Sequence, residues 1–282
     1  MRGGQETMVA ALRSSKRVVT VVLSALFWCL DCLWRLVMRL FGREVSGSCV
    51  VLYYHSIPAE YRQLFAGQMD KLARLTKPIN VDAVPPLNPG LKYSAVTFDD
   101  SFENIFDNAL PELSKRNIPA TVFVPADLLG QTAAWWPIGA RERQEKISTA
   151  ERLAQLPAEM TTIGSHTLTH PKLPTLGAAE AERELRLSKA HLEEMLKRPI
   201  KIFSFPYGAF DKNLVSLCEN AGYERVFTTL PLLAFRTPSE FVTGRVGVEP
   251  TDWNLEFYLK LMGAYRWLPY AFSIKRLIFG RT

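Results

Sequence analysis

The chain has 282 residues, 48% of them hydrophobic and 22% charged, with a formal net charge of +6. That length holds one large α/β domain or two small ones, and that balance excludes a disordered chain. The four cysteines do not make a disulfide framework: Cys29 and Cys32 lie in an apolar helical run, and Cys49 and Cys218 sit alone in apolar stretches, where cysteine serves as a small hydrophobe. The basic excess gathers near the two ends, at Arg13, Lys16, Arg17, Arg35, Arg39 and Arg43, and again at Arg266, Lys275, Arg276 and Arg281. Interleaved with Trp, Phe, Leu and Ile, these residues suit an anionic membrane surface better than a nucleic acid, and no nucleic-acid partner is expected. For the C-terminal segment, ordinary solvated charge explains the pattern equally well.

The first predicted element is the segment Val18–Leu40, "VVTVVLSALFWCLDCLWRLVMRL". Its uninterrupted apolar part, Val18–Leu30, is shorter than the roughly 20 residues a span needs. Ser24, Asp31, Arg35 and Arg39 recur near helical spacing and share one face, with Asp31 and Arg35 able to pair across one turn. The segment is therefore expected to be an amphipathic helix lying in the bilayer interface, an imperfect span with snorkelling charges, or a signal peptide. No clear A-x-A cleavage site follows, which favours an uncleaved membrane anchor. Basic residues on both sides leave its orientation open.

After Gly42, strands and helices alternate. Strands are predicted at Cys49–His55, Ser94–Phe98, Ala120–Pro125, "TTIGS", "IKIFSFP" and "ERVFTT". Helices are predicted at Tyr61–Leu75, in "ENIFDNALPELSKRN" with an interruption at Pro111, at Ala178–Arg198, in "KNLVSLCENAG" and in "NLEFYLKLMGAY". Between them lie a Pro-rich connection, "VDAVPPLNPGLKY", and a polar excursion with helical pieces, "WWPIGARERQEKISTAERLAQLP". The alternation implies βαβ crossovers and a parallel sheet, open or closed, with strands buried on both faces.

Chemistry in such folds collects where the strands end. The first strand exits into His55, "AVTF" into Asp99 and Asp100, "TTIGS" into His166 and His170, and "IFSFP" into Tyr207. Three of the four histidines and an acidic pair thus fall at one rim, which scattered surface residues would not be expected to do. The fourth, His191, reads as a solvated helix residue. Two imidazoles and a carboxylate suit a divalent metal that keeps positions open for water. Of the two adjacent aspartates, one can ligate while the other accepts a proton. The set fits hydrolysis of an amide or ester, with His55 as the acid for the leaving group and a backbone N–H near Tyr207 for the oxyanion. Asp99 and Asp100 would equally suit the N-cap of the helix that follows, a role compatible with catalysis.

The stretches "VTFDDSFENIFDNALPELSKRNIPATVFVP", "IGSHTLTHPKL" and "FSFPYGAFD" resemble the three main motifs of the polysaccharide deacetylase family, also called the NodB-homology or carbohydrate esterase family 4 fold. The resemblance covers about Cys49 to Thr229. It implies a distorted (β/α)7 TIM-like barrel of parallel strands that removes N- or O-acetyl groups from sugars of polysaccharides. It implies Asp99 as general base; Asp100, His166 and His170 as ligands of a divalent metal, foremost Zn²⁺; and a Tyr207 backbone N–H in the oxyanion hole. Three positions depart from the pattern. Ser101 replaces a usual glycine, Ser204 stands where an arginine often tethers the base, and no histidine follows His191 to serve as acid. The second departure leaves Asp99 less firmly oriented, or oriented by another group. "VLYYHSI" is similar to the N-terminal segment of a circularly permuted subgroup acting on poly-N-acetylglucosamine-like exopolysaccharides, in which the acid histidine comes early, as His55 does.

Three regions are expected: a basic N-terminus and anchor helix at 1–45, the deacetylase barrel at 46–250, and a C-terminal helix with a basic aromatic tail at 251–282. The expected protein is a metal-dependent deacetylase of an acetylated exopolysaccharide or cell-envelope glycan. It would be held by its N-terminal segment to membrane lipid of a bacterial envelope. The alternatives are a non-catalytic carbohydrate-binding or scaffold protein on the same barrel, and a deacetylase of a lipid-linked sugar.

Overall fold

The computed structural model describes residues 2–272. The Arg13 side chain and the basic residues Lys275, Arg276 and Arg281 lie outside what is described. A long helix, α1 (Arg2–Leu40), precedes the sheet. The sheet strands are β1 (Ser48–Tyr54), β2 (Lys77–Pro78), β3 (Lys92–Phe98), β4 (Ala120–Val124), β5 (Thr161–Ser165), β6 (Ile202–Ser204), β7 (Arg225–Phe227), β8 (Val242–Thr243) and β9 (Val246–Gly247). All pair in parallel, in the order β8-β7-β6-β5-β4-β3-β1-β9. The two-residue β2 pairs with the start of β3, below the point where β4 takes over that edge.

The ends of this order come from one short segment. Val242 and Thr243 pair with β7, and Val246 and Gly247 pair with β1, with only Gly244 and Arg245 between them. One bent stave therefore meets both edges of the sheet and gives the barrel seven staves. Its two-residue ladders are too short to show an apolar period, so the sequence does not announce them. The ladder between β5 and β6 is a single residue pair, Ser165 with Phe203, where the barrel is most distorted.

The period of two along each strand sorts side chains into two apolar layers. Val50, Leu52 and Tyr54 of β1 face the layer under the helices, whereas Cys49 and Val51 face the barrel interior with Tyr93, Ala95, Phe123 and Phe227. Helices α2 (Arg62–Leu75) and α6 (Ala178–Leu196) cover the outside by burying one stripe each: Phe65, Met69 and Leu72 on α2, and Ala181, Leu185, Ser188 and Leu192 on α6. The predicted interruption near Pro111 appears as two short helices, α3 (Glu103–Asn108) and α4 (Leu110–Ser114), with the break at Ala109. The polar excursion forms a 3₁₀ turn at Arg141–Gln144 and the one-turn α5 (Ala150–Ala154). Two further helices are α7 (Lys212–Asn220), capped by Asp211, and α8 (Asn254–Leu261).

Gly164 of β5 shows how tightly the interior is closed. A Cβ there would lie 2.5 Å from the Phe123 ring and 3.0 Å from Ile202 Cγ1. Gly164→Ala is expected to cost about 1–3 kcal/mol of unfolding free energy through overpacking. Urea denaturation checks this: the midpoint should fall while the slope stays constant, and an unmoved midpoint would contradict the packing described.

Candidate active site

Inward-facing positions of β3 lead to the site. Tyr93 and Ala95 line the interior, Thr97 follows the same alternation, and Asp99 is the next step, just past the strand end. Asp99 is buried and meets Arg245, which comes from the bent stave and is itself fully enclosed. Two parallel bonds join them: Arg245 Nη1 donates to Oδ1 at 2.7 Å and Nη2 to Oδ2 at 2.8 Å. The remaining guanidinium donors are also used. Thr97 Oγ1 accepts at 3.0 Å, Ser204 Oγ at 2.7 Å and the Thr228 carbonyl at 3.3 Å. The rings of Tyr53 and Phe123 lie 4.8 and 5.1 Å from the guanidinium carbon. Burial alone would raise the Asp99 carboxyl, but the Arg245 charge and hydrogen bonds, aided by His166, hold it below the usual carboxylate range. Of the two alternatives for Asp99, the structure shows orientation by another group. Ser204 does stand beside it, but Arg245 supplies the tether from a different stave.

Asp100 breaks the strand geometry. It has φ +66° and Ser101 has φ +54°, two consecutive left-handed residues. Such a conformation favours glycine, which gives Ser101 its physical meaning as a departure from the family pattern. It is held by a 2.7 Å hydroxyl contact with Ser148 Oγ, and its carbonyl accepts from Ser148 N–H at 2.8 Å. The turn brings the two aspartates to one cleft. Asp99 continues inward, and Asp100 reaches the histidine pair.

His166 and His170 follow β5. The Nδ1 of His166 lies 2.7 Å from the Ser204 carbonyl, which can only accept; Nδ1 therefore carries the proton and Nε2 presents its lone pair. Burial pushes the His166 imidazole down to about 4, so the ring is neutral at physiological pH. His170 has φ +58° and Thr167 φ +69°, so this loop also departs from relaxed backbone. Glu184 of α6, buried beneath it, accepts the N–H groups of Leu168 and Thr169 at 2.9 and 3.1 Å and the Thr169 hydroxyl at 2.8 Å. Sequence reading did not single out Glu184. It lies one helical turn from the buried Ala181 and Ser188, on the packed stripe, where an unpaired acid is unexpected.

One ligand atom from each of Asp100, His166 and His170 lies within 4.8 Å of the others, and all three residues are buried. Asp100 Oδ1 is 3.1 Å from His170 Nε2 and 3.6 Å from His166 Nε2, yet it accepts no hydrogen bond. A buried carboxylate oxygen without a donor is costly, and a cation at the centre of these three atoms would satisfy it. The donor set fits a divalent metal, zinc in particular. The other oxygen, Oδ2, accepts the Trp136 indole N–H at 3.0 Å. Trp135 stacks on His170 with ring centres 4.3 Å apart. The doublet Trp135-Trp136 within a polar stretch was the sequence signal for these two residues, and the motif reading passed over it.

His55 and Tyr207 complete the surroundings. The His55 ring stands edge-on to Trp136 at 5.1 Å and to Tyr53 at 5.6 Å. Tyr207 has φ +59° and is half exposed, its ring 4.9 Å from His170. Gly208 beside it has φ +64°, and a Cβ there would fall 1.9 Å from Thr229 Oγ1, so only glycine fits that turn. A cavity of about 390 Å³ is lined by His55, Asp99, Asp100, His166, His170 and Tyr207 together with the two tryptophans. The strand-exit residues named from sequence thus share one cleft. His191 is exposed on α6, with its Nδ1 2.8 Å from Asp127 Oδ1, away from this cleft.

Residues 88–226 match the model of the polysaccharide deacetylase family. The chain is 27% identical to the Bacillus subtilis (strain 168) protein YxkH over 162 residues, 57% of this chain and 53% of that protein. It is 29% identical to the poly-β-1,6-N-acetyl-D-glucosamine N-deacetylase of Staphylococcus aureus (strain MRSA252) over 138 residues, 47% of this chain and 46% of that protein. The chain therefore spans about half the length of the curated relatives it matches. In fold it is similar to IcaB from Ammonifex degensii, with a TM-score of 0.63 at 23% identity, over 77% of this chain and 98% of that one. The parallel barrel, the buried aspartate–histidine cluster at its strand ends and the matched span agree: residues 88–226 carry a polysaccharide deacetylase domain.

Proposed function

We propose that the protein is a metal-dependent hydrolase that removes acetyl groups from N-acetylated sugars of an exopolysaccharide or cell-envelope glycan, with residues 46–250 as its catalytic unit. The observation that carries this reading is the orphaned Asp100 Oδ1 between the two histidine nitrogens, beside an aspartate held ionised by Arg245. Asp100, His166 and His170 would hold the cation, and zinc fits the donor set. When bound, a divalent cation supplies Lewis acidity toward a carbonyl oxygen and toward water. Asp99 takes the proton from the attacking water. Its bidentate bond to Arg245 fixes the carboxylate and keeps it anionic. A Tyr207 backbone N–H, presented on the left-handed turn, donates to the developing oxyanion. His55 gives its proton to the departing nitrogen. Trp135 and Trp136 wall the cleft, keep water from the Asp100 carboxylate and leave a partly apolar face for a sugar ring. The substrate named for the Staphylococcus aureus relative, a poly-N-acetylglucosamine, supports an amino-sugar polymer here. The same reading sets the enzyme at a bacterial envelope membrane, supported by the long apolar segment Ser15–Leu40.

The test of this reading is acetate release from N-acetylglucosamine oligomers by the zinc-loaded full chain. Asp99→Asn should keep its metal and lower kcat by about 10²–10⁴-fold, the usual worth of a positioned base. No acetate from the parent would overturn the reading, and near-normal kcat in the loaded variant would remove Asp99 from its role.

His55 is tested by the leaving group. His55→Ala should retain metal and slow hydrolysis of the amide far more than that of an activated aryl acetate ester, whose departing phenolate needs no proton. Equal slowing of both substrates would make His55 a binding residue.

A further inference from the structure

Helix α1 is amphipathic in the opposite sense to a helix on a soluble domain. The face it turns toward the protein carries its polar residues. Arg17, Val21, Ser24, Trp28, Asp31 and Arg35 follow one another at three- and four-residue steps, and each meets a partner or is covered. Arg17 Nε donates to Glu256 Oε2 of α8 at 2.8 Å, and its guanidinium lies 4.5 Å from the Trp253 ring. Ser24 Oγ accepts the Trp267 indole N–H at 3.0 Å. Trp28 meets Tyr258 edge-on at 5.5 Å. Asp31 pairs with Arg35 at 2.7 Å and also with Arg266. Ser24 is fully buried and Val21 nearly so.

The opposite face is apolar and uncovered. Val19, Val22, Leu26, Leu30, Leu33 and Leu40 lie on it at helical spacing, each more than half exposed. A continuous apolar stripe of this length is not left to water on a soluble monomer. Basic residues stand at its ends, with Lys16 before it, Arg39 beside its last residue and Arg43 after it, all exposed. Their positions match the headgroup layer of an anionic membrane whose acyl region receives the stripe.

The docking contacts also decide between crossing and lying flat. From Arg17 to Arg35 the seam runs about 27 Å, close to the roughly 30 Å of a hydrocarbon core. Along that length α1 is bound to α8 and the segments on either side of it, which carry Asp252, Glu256, Lys260 and Arg266. A transmembrane α1 would draw these charges into hydrocarbon. The helix also runs along the barrel wall. Arg17 lies by Thr251 and Glu256, beyond the end of β9, while Arg35 and Met38 share a cleft with Ser46, Gly47 and Ser48 at the start of β1.

We propose that α1 lies in the plane of an anionic phospholipid bilayer, its Val19–Leu40 stripe among the acyl chains and its polar seam docked on the barrel. The barrel then rests on its side against the membrane, and the cleft opens along the membrane surface. This inference stands on the packing of α1 and is independent of the hydrolase assignment.

The experiment uses the full chain reconstituted in vesicles of phosphatidylcholine and phosphatidylglycerol. Spin labels are placed singly at Val19, Leu26, Leu33 and Leu40 in a background with Cys29 and Cys32 replaced by serine, and their depth is read from oxygen and nickel-chelate accessibility. The four outward positions should share one shallow depth, while a label at Ser24 should stay inaccessible to both reagents. A depth that rises to a maximum near Leu26 and falls again would show a span and overturn the proposal. So would label–label coupling between two chains without oxygen exposure, which would mean a helix dimer. In flotation, Leu26→Glu/Leu33→Glu should lower the vesicle-bound fraction at least tenfold without changing the thermal unfolding midpoint. Undiminished flotation would also overturn it.

Discussion

The buried pair of Arg245 and Asp99 is the constraint on which the rest of the structure depends. An ion pair without solvent is costly to assemble unless every donor is used and the geometry is bidentate. Here both carboxylate oxygens are engaged, and the other guanidinium donors reach Thr97, Ser204 and Thr228. The pair ties the stave that meets both edges of the sheet to the strand that delivers the acidic residues. Barrel closure and orientation of Asp99 are thus one event. The aromatic rings around Arg245, and the absence of a Cβ at Gly164 that lets Phe123 take its place among them, belong to the same construction.

Around this pair the rim is built from backbone that L-residues rarely adopt. Asp100, Ser101, Thr167, His170 and Tyr207 all have positive φ, and each such residue costs on the order of 1–3 kcal/mol. The cost is offset where it arises. Glu184 gathers the donors of the loop between the histidines, Ser148 holds Ser101, and the close approach of Thr229 requires glycine at 208. Strict alternation would point Asp100 away from Asp99, toward the layer under the helices; the left-handed turn takes it out of that alternation and brings both aspartates to one cleft.

The alternation of strands and helices was legible because apolar runs of five to seven residues alternate with amphipathic stretches. The strand exits were legible because parallel strands end on one rim, which is why His55, Asp99, His166 and Tyr207 could be grouped from sequence. Arg245 was not. It lies between two-residue strands with no period of their own, and nothing local distinguishes a buried arginine from a surface one. Trp136 and Glu184 were missed for a related reason: one comes from a loop whose path sequence does not give, and the other is an acid among many on a charged helix. At the N-terminus the polar face of α1 was visible as a pattern. That it turns toward the protein, leaving the apolar face outward, follows only from the positions of Glu256, Arg266 and Trp267 far along the chain.

The central claim is that Asp100, His166 and His170 form one cation site. Elemental analysis of the purified full chain after zinc loading and gel filtration tests it most directly. The account predicts about one zinc per chain in the parent, and its loss in both His166→Ala and His170→Ala, with each variant still folded by circular dichroism. Zinc content unchanged in both folded variants would contradict it.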